Sequence, residues 1–290
     1  MNTSVQGRGL VVGVDGSAPS NAAVAWAARE ASLRNVPLRL VHMFKSYVAT
    51  FPQIPMAGGA AIWQEDDGRL ILEDAVKLAK ESAASPIEIT HAVKVSPPVP
   101  TLVELSDDAD LVVVGSNGRG LVGRVLLGSV SSGVLRSARC PVAVVRDDAP
   151  AVGQDAPVVV GIDGSEASEL ATAIAFDEAS RHGVDLKAVH AWSDAEVLDF
   201  TGIDWDALQT EAEQILAERL AGWQERYPDV TVHRIVVRDR PARELIEQAK
   251  SAQLLVVGSH GRGAIGKLLG SVSNAVVHSV HTPIIVARPS

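Results

Sequence analysis

Residues 111–131 read LVVVGSNGRGLVGRVLLGSVS, and residues 254–273 repeat the phrase as LLVVGSHGRGAIGKLLGSVS. In each, an aliphatic burst suited to a buried strand runs into a glycine-rich loop and then a helical stretch. Gly115, Gly118 and Gly120 strip the first loop of side chains, as Gly258, Gly261 and Gly263 strip the second. Such residues let a ligand approach the main chain closely. Bare backbone between a strand and a helix N-terminus is what a phosphate requires. Two such runs predict two phosphate-ligand sites.

The repeat reaches well beyond the glycines. VVGVDGSAPS (Val11 to Ser20) is matched by VVGIDGSEAS (Val159 to Ser168), and LRLVHMF (Leu38 to Phe44) by LKAVHAW (Leu186 to Trp192). Downstream, CPVAVVR (Cys140 to Arg146) is matched by TPIIVAR (Thr282 to Arg288). The order of elements is the same in both halves, and small deletions fall in loops. This is a tandem duplication of one domain. We expect domain 1 over residues 1–147 and domain 2 over 156–290, joined by a linker at 148–155 within the polar stretch RDDAPAVGQDAP.

Within the first half, LVVGVD reads as a fully buried strand. An Ala-rich helix is predicted from about Pro19 to Leu33, with Ser17 as N-cap and Pro19 in the first turn. LRLVHM is a second strand, and a helix is predicted roughly over Ile62 to Ala84. IEITHAVKV alternates apolar and polar residues, the pattern of a half-exposed strand near a sheet edge. A short helix near Leu102, the strand LVVVG, a helix from about Val125 to Ser137 and the strand VAVV complete the unit. Alternating strands and helices imply a parallel sheet with right-handed crossovers and helices on both faces. Sheets of this kind bind ligands beyond the carboxyl ends of their strands. Asp15 and the Gly115 loop fall at such ends, as do Asp163 and the Gly258 loop.

Composition narrows the partners. The chain has 290 residues, about two ordinary domains, and its 47% hydrophobic content is that of globular protein rather than disorder. Aromatics are only 4% while Val, Ala and Leu abound, as in a buried parallel sheet. Acids outnumber bases 35 to 26, a net charge of −9, which argues against nucleic acid or an anionic membrane as partner. A phosphate held by backbone amides is compatible with that charge. With no signal-peptide core and no membrane-length apolar run, we expect a cytoplasmic protein. The single cysteine, Cys140, excludes an internal disulfide and reads as a buried structural thiol before Pro141.

Around each loop stand further candidates. Arg119 and Arg262 bring a formal charge, and the hydroxyls of Ser129, Ser131, Ser271 and Ser273 are potential anion donors. Gly118, Gly120 and Gly123 spell G-x-G-x-x-G, but the dinucleotide fingerprint opens on the first strand and needs an acid ~20 residues on. Here the loop follows a late strand, so NAD is disfavoured. Gly261 to Lys267 nearly spells a P-loop, yet Leu268 replaces the hydroxyl residue that binds magnesium, and Arg124 replaces the lysine in the first half. Asp15 and Asp163 each open a D-G-S turn. An Asx-turn or helix cap competes there with a role toward ribose hydroxyls or a metal bridging to phosphate. His42 and His190 end matched strands and read as packed, hydrogen-bonded groups. His260 corresponds to Asn117, so its charge is not essential to a mechanism common to both halves. No motif for a catalytic triad, carboxylate pair or metal cluster emerges.

Taken together, these residues resemble the universal stress protein family. An Asp closes the first strand; G-x-x-G, nine residues and G-[ST] follow later, then a P-[VI]-x-V-x-R strand, the whole set nearly twice. More narrowly the chain resembles the tandem-domain, ATP-binding members found in actinobacteria, over nearly its whole length. The resemblance implies two Rossmann-like (adenine nucleotide alpha hydrolase-like) α/β domains, each a five-stranded parallel sheet of order 3-2-1-4-5. It implies a first ATP site from Gly13, Val14, Asp15, Val41, Gly115, Ser116, Asn117, Gly118, Arg119, Gly120, Leu121, Gly128, Ser129, Val130 and Ser131. The second draws on Gly161, Ile162, Asp163, Val189, Asp194, Gly258, Ser259, His260, Gly261, Arg262, Gly263, Ala264, Gly270, Ser271, Val272 and Ser273. The chain departs from the pattern once. Nine residues separate Gly118 from Gly128, but eight separate Gly261 from Gly270, which shortens the second loop or shifts its helix.

The resemblance further implies that the two domains pair through their last strands as a pseudo-dimer, and that tandem chains pair into a homodimer. The function it implies is a nucleotide-dependent regulator of stress response, dormancy or growth that binds ATP, with or without Mg, and acts through a protein partner. Two alternatives stay open: an ATPase or nucleotidyl-transfer enzyme on the same scaffold, and a nucleotide-free interaction module. Slow ATP hydrolysis is compatible with the first reading.

Overall fold

Each half of the chain turns its aliphatic runs into strands of a parallel sheet. The structure, a computed structural model, describes residues 8–45, 59–118, 127–191, 205–238, 240–261 and 269–289. It comprises two units, Met1–Asp147 and Asp148–Ser290. The first runs β1 (Leu10–Val14), α1 (Ala18–Arg34), β2 (Leu38–Phe44), α2 (Gly59–Ser82), β3 (Ile89–Val95), α3 (Pro98–Leu105), β4 (Leu111–Gly115), α4 (Ser129–Ser137) and β5 (Val142–Val145). The second repeats it as β6 (Val158–Ile162), α5 (Glu166–His182), β7 (Leu186–Ala191), α6 (Trp205–Arg226), β8 (Val232–Val237), α7 (Pro241–Ala249), β9 (Leu254–Gly258), α8 (Ser271–Ser279) and β10 (Ile284–Ala287).

In the first unit the strands lie in the order β3-β2-β1-β4-β5, every neighbouring pair parallel. The second has the same order, β8-β7-β6-β9-β10. This is the predicted 3-2-1-4-5 sheet. The chain winds outward from β1 to β3, then crosses back to β4 and β5. Right-handed crossovers in opposite directions place the first two helices on one face and the next two on the other. Accordingly α1 packs on α2, and α3 on α4. The direction reverses between β1 and β4, so their carboxyl ends diverge into a crevice.

Central strands are covered on both sides. Val12, Leu40 and Val113 are fully buried, as are Val158, Val160 and Leu255 in the second unit. Each such side chain contributes roughly 1.5–3 kcal/mol on leaving water. β3 lies at the edge and is largely half-buried to exposed, as its alternation predicts. Ser17 caps α1 by accepting the Ser20 N–H at 3.3 Å, and Ser165 caps α5 from Ser168 at 3.2 Å. Both helices end in the left-handed region, on Asn35 (φ 52°) and Gly183 (φ 65°), which turns their last carbonyls onto the following amides.

Two helices differ from expectation at their ends. α2 starts at Gly59 and stops at Ser82. α4, expected from about Val125, has its described start at Ser129, directly after the extended Gly128 (φ −65°, ψ 161°), and Val125 itself lies outside the described residues. Among the described residues no helix is long and apolar enough to cross a membrane.

Cys140 is buried before Pro141, and desolvation pushes its thiol up to about 12. The folded chain therefore holds this proton more tightly than the unfolded chain. Its contribution to stability is complete below the ordinary thiol range and is lost as pH rises through that range toward about 12. We expect a maleimide or iodoacetamide to leave the native chain unlabelled near neutral pH and to label one thiol after denaturation. Rapid labelling of native protein would contradict the burial.

Candidate functional site

The site starts where β1 stops. Gly16 takes φ 76°, which permits a tight turn after Asp15, and Gly164 takes φ 79° after Asp163. The Asp15 carboxylate accepts the Ser17 N–H at 2.9 Å and the Ser17 hydroxyl at 2.6 Å through Oδ1. Asp163 repeats both bonds with Ser165, at 2.9 and 2.7 Å. The aspartates thus build Asx-turns, one of the two expected roles, and they also line the crevices. A Cβ at Gly118 would lie 2.5 Å from Asp15 Oδ2, and one at Gly261 2.6 Å from Asp163 Oδ2. Only glycine lets the loop pass so close to the acid.

Three bonds then fold the end of each loop back over its strand. Ser116 N–H donates to the Val145 carbonyl at 2.8 Å, Gly128 N–H to the Ser116 carbonyl at 2.7 Å, and Ser131 Oγ to the Gly115 carbonyl at 2.6 Å. In the second unit Ser259, Gly270 and Ser273 repeat these bonds at 2.8, 2.8 and 2.6 Å, to the carbonyls of Ala287, Ser259 and Gly258. The hydroxyls of Ser131 and Ser273, expected as anion donors, are therefore spent on holding the loop. Their main chain is not so committed.

α4 and α8 start on Gly128 and Gly270, and no side chain caps either one. A helix leaves its first N–H groups without intrahelical acceptors, and its dipole adds about half a positive charge there. α1 and α5 spend Ser17 and Ser165 on that need; α4 and α8 aim it into the crevice. The one-residue deletion does not move the second helix. Gly270 keeps the extended geometry of Gly128 (φ −60°, ψ 157°) and the same bond to the strand end. The deletion is absorbed before that glycine.

The first crevice encloses about 660 Å³ and the second about 690 Å³. Gly13, Val14, Asp15, Gly115, Asn117, Gly118, Gly128, Ser129, Val130 and Ser131 line the first. Gly161, Ile162, Asp163, Val189, Gly258, His260, Gly261, Gly270, Ser271, Val272 and Ser273 line the second. Three expected residues are placed otherwise. Val41 is buried in the sheet and does not line the crevice. Ser116 and Ser259 are buried beneath the loops, where their hydroxyls face the next side chain. Arg119, Gly120, Leu121, Asp194, Arg262, Gly263 and Ala264 lie outside the described residues.

Several lining residues carry no motif. Leu102 of α3 would stand 3.1 Å from a Cβ at Gly13, and Leu245 of α7 the same distance from one at Gly161, so matched leucines floor the two crevices. Pro98 and Pro241 accompany them. Comparing SPPVPTL with RDRPAREL would have exposed this pairing. In the first unit Met43, Phe44, Gln64 and Asp67 close the far end. His42 Nδ1 bonds the Val14 carbonyl at 2.8 Å and His190 Nδ1 the Ile162 carbonyl at 2.7 Å, both rings buried, which is the hydrogen-bonded role expected for them.

Each unit thus offers an anion bare amides at a helix start and an open space running along the sheet. The universal stress protein family model matches residues 8–146 and again 156–288. A universal stress protein of Mycobacterium tuberculosis H37Rv is 58% identical over 287 residues, covering 97% of each chain. Another from the same strain is 52% identical over 295 residues, covering 100% of this chain and 99% of its own. The crystal structure of a universal stress protein from Archaeoglobus fulgidus DSM 4304 shares the fold, with TM-score 0.71 at 18% identity over 98% of this chain and 100% of that one. With both halves matched and relatives alike along nearly their whole length, the chain belongs to the universal stress protein family as a tandem of two such domains.

Proposed function

We propose that each unit binds an adenine nucleotide, ATP in the working state, and that occupancy regulates stress response, dormancy or growth through a protein partner. The observation that carries this reading is the pair of uncapped helix starts, Ser129 to Ser131 and Ser271 to Ser273, at the mouths of matched crevices. A triphosphate supplies the acceptors those amides lack, and crevices of about 660 and 690 Å³ are of a size that takes a small ligand with ribose and base. The donor set fits a phosphate tail. Asp15 and Asp163 are the carboxylates at that end, where a ribose hydroxyl or a phosphate-bound magnesium would fall.

The nucleotide acts as a regulator rather than a substrate. His260, the histidine lining the phosphate end of the second crevice, is Asn117 in the first, so no imidazole base is common to the two units, and the carboxylates they share, Asp15 and Asp163, are engaged in Asx-turns. Binding stabilises the bound conformation by mass action and shifts what a partner meets. In this reading the protein works in the cytoplasm as a dimer of tandem chains.

Mass spectrometry of ligand released by denaturing freshly purified chain tests the reading. We expect adenine nucleotide approaching two equivalents per chain after saturation with ATP. No affinity for ATP, ADP or AMP at about millimolar concentration, a Kd near the weakest useful range, would refute it. Slow hydrolysis fits this reading, whereas ATP turnover well above that of a chain with both loops blocked, with a defined acceptor, would favour an enzyme.

A further inference from the structure

The two crevices share their main chain but not their polar side chain at the phosphate end: Asn117 in the first, His260 in the second. In both, a buried serine orients that side chain. Ser116 Oγ donates to Asn117 Oδ1 at 3.1 Å, and Ser259 Oγ meets His260 Nδ1 at 2.9 Å. Ser116 is 2% exposed and Ser259 1%, so each bond is held from the buried side while Asn117 and His260 are half-buried. With Oδ1 taken, Asn117 has its amide hydrogens left to offer. With Nδ1 taken, His260 has Nε2. Nε2 of His260 is an N–H donor in the imidazolium and in the neutral tautomer whose Nδ1 accepts from Ser259, so the group beside the uncapped helix start is neutral at every pH in the first unit and able to become a full cation in the second.

We infer that His260 makes the second nucleotide site proton-linked: its imidazolium tightens the hold on the phosphate tail as pH falls, and the first site lacks this response. The inference rests on the nucleotide reading above. A charged donor binds phosphate roughly twice as strongly as a neutral one.

Some charged groups around His260 recur in the first unit and some, Glu166 among them, do not; the His260→Asn exchange below separates His260 from these. Asp163, at the end of β6, has its carboxylate against Gly261, as Asp15 has against Gly118. Arg288 follows the Ala287 carbonyl that binds Ser259, as Arg146 follows Val145. From α5 come Ser165, whose hydroxyl donates to the His260 carbonyl at 3.1 Å, and the solvent-exposed Glu166, where the first unit has Ala18. The Arg219 guanidinium of α6 lies over Gly164. α8 contributes its positive end. Arg262 and Lys267, matched by Arg119 and Arg124, lie outside the described residues. His42 also lines the first crevice, its Nδ1 2.8 Å from the Val14 carbonyl and its ring 6.1 Å from Phe44, and His190 makes the matching bond to the Ile162 carbonyl at 2.7 Å in the second unit.

Two single-site chains test the inference: Gly118→Glu, which leaves the second crevice, and Gly261→Glu, which leaves the first. The ATP dissociation constant of each is measured by calorimetry from about pH 8 to about pH 5.5, the range in which a histidine titrates. The Gly118→Glu chain should tighten by about tenfold more than the Gly261→Glu chain across that range. Protonation of ATP itself is common to both and cancels. Adding His260→Asn should abolish the excess, and adding Asn117→His to the Gly261→Glu chain should install it. In the unmutated chain, the NMR titration of the His260 ring should move to higher pH when ATP is added, a readout that needs no loop variant. Equal pH responses, an excess that survives His260→Asn, or an unmoved ring titration would overturn the inference while leaving nucleotide binding intact. Absence of binding by the unmutated chain at every pH would instead remove the nucleotide reading, and this inference with it.

Discussion

A chain carrying Gly118→Glu should bind one nucleotide fewer than the unmutated chain, and a chain carrying Gly118→Glu with Gly261→Glu should bind none. The first atom of the new side chain is already in conflict, since a Cβ at 118 would lie 2.5 Å from Asp15 Oδ2 and one at 261 lies 2.6 Å from Asp163 Oδ2. To relieve that contact the loop must lift from the Asx-turn, away from the helix start it serves. The carboxylate then occupies space meant for phosphate oxygens, and like charges brought together cost several kcal/mol. We expect a loss at the altered site of at least about 100-fold, equivalent to about 2.7 kcal/mol. Because the two crevices lie in separate units, the losses should be independent. The melting temperature of the unmutated chain should rise with ATP, and the doubly altered chain should lose that rise. Full nucleotide content in the double variant would contradict the assignment.

The largest change in stability is expected from Phe176→Ala. Phe176 is fully buried on α5, its ring 5.9 Å from Trp223 and 5.7 Å from Tyr227 at the end of α6. The Arg226 guanidinium covers the outer rings, 5.9 Å from the Trp223 centroid and 5.6 Å from that of Tyr227. Removing the inner ring deletes the contact that seats α6 on α5 and leaves a cavity. Substitutions of this kind cost about 3–5 kcal/mol. The first unit has the buried Ala28 at the matching place, so the fold accepts alanine there only with different surroundings. Denaturant unfolding followed by tryptophan fluorescence should show the second unit melting early while nucleotide binding in the first persists. A midpoint shift worth less than about 1 kcal/mol would show that the aromatic stack does not hold the unit.

Much of this was legible in one dimension. The duplication, the order of strands and helices, the Ser17 cap and the half-exposed edge strand all follow from local patterns, because propensity, periodicity and capping agree there. The start of α4 was not legible. Val125 to Leu127 looks helical by composition, whereas Gly128 is extended and bonded to the Ser116 carbonyl, a tertiary contact that sets the start of α4 at Ser129 and that composition does not show. The same is true of Ser131 and Ser273. Each hydroxyl finds its acceptor on a residue far upstream, Gly115 or Gly258, so the motif alone could not tell a ligand donor from a structural one. Leu102 and Leu245 reach the crevices from α3 and α7, elements outside the glycine phrase. Ser116 and Ser259 sit inside that phrase, but act by turning Asn117 and His260 rather than by facing the crevice.

The most direct measurement is a backbone amide NMR titration of the chain with ATP. Large shifts should concentrate at Ser129, Val130 and Ser131 and at Ser271, Val272 and Ser273, the uncapped first turns of α4 and α8. The capped first turns of α1 and α5 should move far less. Saturating ATP that leaves those six amides unmoved, or perturbs only residues outside both crevices, would contradict the account.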